Sequence, residues 1–179
     1  APVPVASAAD DQSPQDLVNK FNSVANRLGV LENDIVWVSN DMDNLERRAR
    51  QIAQYNTPDA FFQFDLRRMS YNMSSRFDDM RRLSMDIKNL LNLAQKSKEL
   101  NDAARRIDWS AREILRYAWP NMENASKRLE WTVRSCKPEL VGYDAQWTAM
   151  DISRYTRQFT DQARIASFDA QNLVAKTQP

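Results

Sequence analysis

Along the first third of the chain, apolar residues recur at alternating four- and three-residue steps: Leu17, Phe21, Val24, Leu28, Leu31, Ile35, Val38, Met42, Leu45, Ala49 and Ile52. An unbroken heptad register of this length predicts one long helix that buries a single stripe against other helices. The same steps return at Phe62, Leu66, Met69, Met73, Arg76, Met80, Leu83, Ile87, Leu90 and Ala94, where Arg76 is the polar intruder and Phe77 stands beside it to cover the gap. A third seam runs through Ala104, Ile107, Ala111, Ile114, Ala118, Met122, Ala125, Leu129 and Val133 or Cys136. The fourth uses Ala145, Ala149, Ile152, Tyr155, Phe159, Ala163, Ala166, Ala170 and Leu173. In the third seam two four-residue steps meet at Ala118, next to Trp119-Pro120. Such a stutter unwinds a supercoil locally and proline removes a backbone donor, so a kink or short break is predicted there.

Punctuation sets the ends. Ser13 is the expected N-cap of the first helix, with Pro14 in its first turn and Asp16 favourable to the helix dipole. Thr57-Pro58 opens the second helix, Asn101 or Asp102 caps the third, and Pro138 and Gly142 mark a loop over Cys136 to Tyr143. Helices are therefore expected at about 14–55, 58–95, 101–135 and 144–176, each about 50 to 60 Å long. Short connections imply antiparallel neighbours. The expected fold is all-α: an elongated up-down-up-down antiparallel four-helix bundle with coiled-coil-like packing, kinked in helix 3 at Trp119-Pro120. It forms one domain over 14–179, preceded by a flexible tail at 1–13. Alanines of the third and fourth seams would face the larger residues of the first two and let the layers interdigitate.

Composition narrows the function. Two glycines are too few for a hairpin-rich β protein. With 25 basic and 24 acidic residues the net charge is +1, which gives no general attraction to nucleic acid, and none is expected as partner. No apolar run is long enough for a transmembrane segment. The chain has no histidine, which removes the commonest general base and metal ligand together, including the Glu-x-x-His of di-iron bundles. With a single cysteine and no glycine-rich phosphate loop, the sequence predicts no metal site, no cofactor and no enzyme. Cys136 reads as a small buried residue near a helix end; the alternative is an interchain disulfide in a homodimer, which an aromatic face would equally serve.

The start at Ala1, rich in Ala and Pro and without methionine, is expected of a secreted product after signal-peptide removal, and it resembles in composition the mature starts of secreted fungal proteins. Two N-glycosylation sequons agree with an extracellular location: Asn72-Met73-Ser74 and Asn124-Ala125-Ser126. Paired arginines follow an acidic or amide residue at Asp43 to Arg48, Asp78 to Arg82 and Asn101 to Arg106. The spacings Asp43/Arg47, Asp78/Arg82 and Asp102/Arg106 predict surface ion pairs along each helix rather than a repeat.

Aromatic residues off the seams are the candidate binding residues. Trp37 lies on the flank of helix 1 in line with Val30, and Trp109 lies opposite the alanines of helix 3. Phe61 and Phe64 flank Phe62, and Trp119 precedes the proline. Exposed tryptophan is a recurrent anchor of binding surfaces. The expected function is a secreted, non-enzymatic interaction protein, effector-like or at a cell surface, that binds a protein or other macromolecule through a helix face. The alternative is a carrier of a lipid or other small apolar ligand, suggested by the pliable methionines Met69, Met73, Met80 and Met85.

Overall fold

The computed structural model describes Pro2 and residues 13–179; the tail expected at 1–13 otherwise lies outside the described residues. Among those residues there is no strand. The elements are α1 (Pro14–Tyr55), α2 (Phe62–Leu93), α3 (Lys98–Tyr117), a π turn (Ala118–Met122), α4 (Glu123–Arg134), the one-turn α5 (Pro138–Val141) and α6 (Ala145–Thr177). All eleven seam positions of α1 are buried, as are the apolar seam positions of α3 and α4. They join those of α2 and α6 in one continuous core. Phe21, Phe62 and Phe159 are its largest fully enclosed side chains.

Cross-helix bonds fix the directions. Arg27 meets Asp86 at 2.7 Å and Arg48 meets Asp65 at 2.7 Å, so α1 and α2 are antiparallel. Asn101 bonds to Val174 at 3.0 Å and Ser153 to Ser126 at 3.2 Å, so α6 is antiparallel to α3 and α4. Two further contacts are parallel. Arg106 reaches Asn26 at 2.9 Å and Arg128 reaches Asp43 at 3.1 Å, which runs α3 and α4 alongside α1 in the same direction. Arg67 to Asp144 and Lys176 to Leu91 do the same for α2 and α6. The expectation that all neighbours are antiparallel is thus corrected. α2 packs on α1 and α6 and makes few contacts with α3, so the short link after Leu93 reverses the chain without making its two helices neighbours.

The ends differ from the sequence reading where tertiary contacts decide them. Thr57 does not cap α2; its hydroxyl donates to the Tyr55 carbonyl. Asp59 takes that place, accepting from the Phe61 N–H at 3.1 Å and from Arg48 at 2.9 Å. The third helix is capped by Ser97, whose Oγ accepts from Leu100, not by Asn101 or Asp102. Asn101 lies one turn inside, buried, and its amide donates to the Val174 carbonyl and the Thr177 hydroxyl of α6. On α6, Tyr155 lies at the rim of the core and Thr156 occupies the seam, its hydroxyl satisfied by the Ile152 carbonyl at 2.8 Å. A threonine that bonds back one turn behaves as a small apolar residue toward its neighbours.

At Trp119-Pro120 the chain stays helical through the π turn. The Glu123 N–H bonds the Ala118 carbonyl, five residues back. The widened turn absorbs the extra residue of the third seam and gives the proline ring room, since it has no N–H and would crowd the carbonyl four residues before it.

The three ion pairs predicted along single helices do not form. Arg47 bonds Asn44, Asp78 pairs with Arg81, Arg106 reaches Asn22 and Asn26, and Asp43 receives Arg128 from α4. Long arginine side chains span the groove to a neighbouring helix as readily as one turn of their own. Arg76, the intruder in the second seam, is half-buried between Asp34 of α1 and Asp79, with Phe77 packed on the core beside it.

Phe159→Ala removes a fully buried ring and is expected to cost about 3–5 kcal/mol in urea denaturation. Met85→Ala, at an exposed position, should stay within about 0.5 kcal/mol. The hydrogen bond from the Arg48 guanidinium holds the Asp59 carboxyl below its usual range against the opposing effect of burial, with the Phe61 N–H adding to the lowering. A carboxylate depressed in the folded state stabilises above its unfolded pKa and ceases to as pH falls through the folded one. Asp59→Asn should therefore lower Tm at pH 7, with the difference from the parent closing once the pH falls below 3.8.

Candidate functional site

All five tryptophans are on the outside, between 61% and 73% exposed. Four of them follow a seam residue by two positions: Ile35/Trp37, Ile107/Trp109, Leu129/Trp131 and Ala145/Trp147. Two residues turn a helix by about 200°, which sets the ring opposite the buried stripe. Trp119, one residue past buried Ala118, lies under the Arg164 guanidinium of α6 at 5.6 Å. None of these rings fills the core, although a core built on Leu, Ile, Met, Phe and Ala is complete around them.

The six predicted binding residues are all exposed, but only some come together. Val30 and Trp109 wall a groove of about 660 Å³ between α1 and α3. Trp37 stands two turns further along α1. Phe61 and Phe64 lie at the start of α2 and Trp119 in the π turn, away from that groove. Tyr71, Tyr143, Trp147 and Phe168 are also exposed and were not singled out. Both sequon asparagines, Asn72 and Asn124, are exposed. Met69, Met73, Met80 and Met122 are enclosed in the packed core, whereas Met85 is on the surface. Cys136 is buried, its thiol donating to the Ala49 carbonyl at 3.2 Å, and burial pushes its pKa up.

The most informative residue missed by sequence reasoning is Trp131. It lines a second groove, of about 870 Å³, between α1 and α4. The walls that α3 and α4 give to the two grooves are similar in sequence. Residues 102–112 and 124–134 align without a gap: Ala103/Ala125, Arg106/Arg128, Trp109/Trp131 and Arg112/Arg134 are identical, and Arg105/Lys127, Ile107/Leu129, Asp108/Glu130 and Ser110/Thr132 are conservative. Their burial patterns match almost position for position. Even an ion pair recurs, Asp108 with Arg112 and Glu130 with Arg134. The arginine-pair motif at Asn101 to Arg106 thus belongs to a true repeat, whose other copy is neither of the motifs compared with it. Aligning the third seam on itself would have found it.

The electrostatics of the copies are similar in sign. In the first groove Arg105 bonds Asn101 at 3.0 Å, and Arg106 bonds Asn22 and Asn26 at 3.1 and 2.9 Å. Amide oxygens orient these guanidiniums without neutralising them, and among the described residues no acidic one lines that groove. In the second, Glu46 is the acidic lining residue. It is buried and engaged by Thr132 at 3.1 Å and Arg50 at 2.8 Å, and Arg128 is paired with Asp43 at 3.1 Å, which leaves Lys127 as the cation beside Trp131 with no acidic partner among the described residues. Each ledge therefore offers an indole face flanked by positive charge. No group of three or more metal-ligating side chains is present among the described residues, and no described helix is long and apolar enough to cross a membrane.

Comparison of the chain with protein-family models, with curated proteins and with solved structures finds no match.

Because Trp109 and Trp131 rest outside the core, alanine at either position should leave the helical circular-dichroism signal unchanged and shift stability by no more than about 1 kcal/mol. A loss of about 3 kcal/mol would place them in the core instead.

Proposed function

We propose that this protein is a non-enzymatic binding protein of the extracellular space that engages a partner macromolecule through helix faces bearing exposed tryptophans. In this reading residues 14–179 make one up-down-up-down four-helix bundle, bent at Trp119-Pro120, that acts as a rigid scaffold. The observation that carries it is the set of four tryptophans two positions past a seam residue, all turned to solvent around a filled core. An exposed indole contributes little to folding, and in a binding surface it supplies a large rigid contact area at small entropic cost. The exposed sequons at Asn72 and Asn124 favour the extracellular placement. The chain has no histidine, the commonest general base, and its one thiol is buried and bonded inward.

Native mass spectrometry of the protein isolated from its own host tests this reading. A complex with a macromolecule, lost on simultaneous Trp109→Ala and Trp131→Ala substitution, is the expected result. A retained lipid-sized mass would overturn it in favour of carriage.

A further inference from the structure

We propose that the face formed by α1 with α3 and α4 is a two-point dock for one long acidic α-helix of a partner protein, which lies across both tryptophan ledges at once. The proposal rests on the binding function above and names its occupant. Three observations carry it.

The first is phase. On α1, the wall positions held by Gly29 and Asn33 in the first groove are held by Arg50 and Gln54 in the second, 21 residues on, while on the facing helices Trp109 recurs as Trp131, a shift of 22. In a heptad frame 21 residues make about six turns. The π turn at Ala118–Met122 lies between the two copies and spends one residue more on the same six turns. Both ledges consequently face the same side, about 32 Å apart along α1. Three heptads is also a repeat of any helical partner laid along the groove, so one face of that partner meets both ledges with equivalent residues.

The second is charge. Among the described residues no carboxylate binds Arg105, Arg106 or Lys127, which flank the two indoles; amide oxygens hold Arg105 and Arg106, while Arg128 is paired with Asp43 and the Glu32 and Glu113 carboxyls meet between the ledges. A surface of preorganised, unneutralised guanidiniums complements carboxylates on the partner. The third is the apolar ridge between the ledges. Val30 borders the first groove and Trp37 follows it by two turns, both more than 60% exposed, giving the partner's apolar stripe a surface to cover. The partner that satisfies all three is amphipathic, carries Glu or Asp beside its apolar stripe, and runs for at least about 28 residues, the length that spans both ledges.

A display library of 35-residue helices, with acidic, basic, neutral and aromatic choices at the outward positions, tests this against the intact protein. Acidic sequences with acid clusters three heptads apart should be enriched. In fluorescence anisotropy, Trp109→Ala and Trp131→Ala should each weaken the best binder by about tenfold. Truncating the best binder to 15 residues should weaken it by about a hundredfold, since linked contacts multiply. Arg106→Gln should weaken it while leaving the circular-dichroism signal unchanged, which separates charge recognition from folding. Enrichment of basic or uncharged helices, no enrichment, or binding indifferent to both tryptophans would overturn the proposal. Winners that instead depend on Trp119 or Trp147 would overturn this dock while leaving the general binding function standing. So would binding of a neutral polysaccharide such as a chitin oligomer that depends on Trp109 and Trp131.

Discussion

A helix of 42 residues keeps its apolar stripe on one side only if that stripe repeats every 3.5 residues and the helix coils slowly around its neighbours. That geometric condition governs this molecule. α1 meets it from Leu17 to Ile52 without a slip, and the other long helices are dressed to match it. Large residues on α1 and α2 meet alanine, serine and threonine on α3, α4 and α6, so the helices approach closely and leave the interior filled. The buried hydroxyls of Thr156, Thr160 and Thr177 each bond a carbonyl one turn back, which keeps these small positions from leaving a polar group unpaired.

The third helical stretch meets the condition by a different route. Its sequence carries one residue too many between Ala118 and Met122, and a regular α-helix would rotate everything after Met122 by about 100° relative to α1. Ala125, Leu129 and Val133 would then leave the core. The π turn takes up the surplus, and Pro120 sits within it, where a missing N–H and a crowded carbonyl are tolerated. The same correction that keeps the seam buried brings Trp131 around to the side of Trp109. Core packing and surface display are thus two consequences of one local change in winding.

How much of this was legible follows from the range over which each feature is decided. The seams were legible because burial is read from spacings of three and four residues within one helix, and Ser13 and Pro14 marked the start of α1 in the same local way. The start of α3 was not, because Asn101 has the chemistry of a cap but is held by Val174 and Thr177, partners more than seventy residues away. The predicted Asp43/Arg47 pair failed for a related reason: Arg128 competes for Asp43 from another helix. Connection length fixed the direction of each helix and said nothing of which helices touch, so the parallel contact of α1 with α3 and α4 came only from the structure. The candidate site was half legible. Trp109 and Val30 were found from their offset to the seam, whereas Trp131 was overlooked because each tryptophan was judged alone.

The position of the indoles also bears on what kind of surface they make. A widened core draws aromatic residues to the flanks of the seam, one position away from it, where they remain largely covered. Two positions away there is nothing to pack against within the chain, and an indole there leaves its apolar faces in water. At Trp109 and Trp131 the groove walls mix apolar residues, Ala25 and Val30 in one and Ala53 in the other, with polar and positive ones, so each ring borders both kinds of surface. Isolated aromatic faces bordered by fixed charge discriminate between partners better than a continuous greasy patch, since a wrong partner leaves a guanidinium desolvated without a counter-ion. In the proposed dock, recurrence of that combination three heptads apart makes a modest local contact depend on the length and regularity of the helix that lies along it.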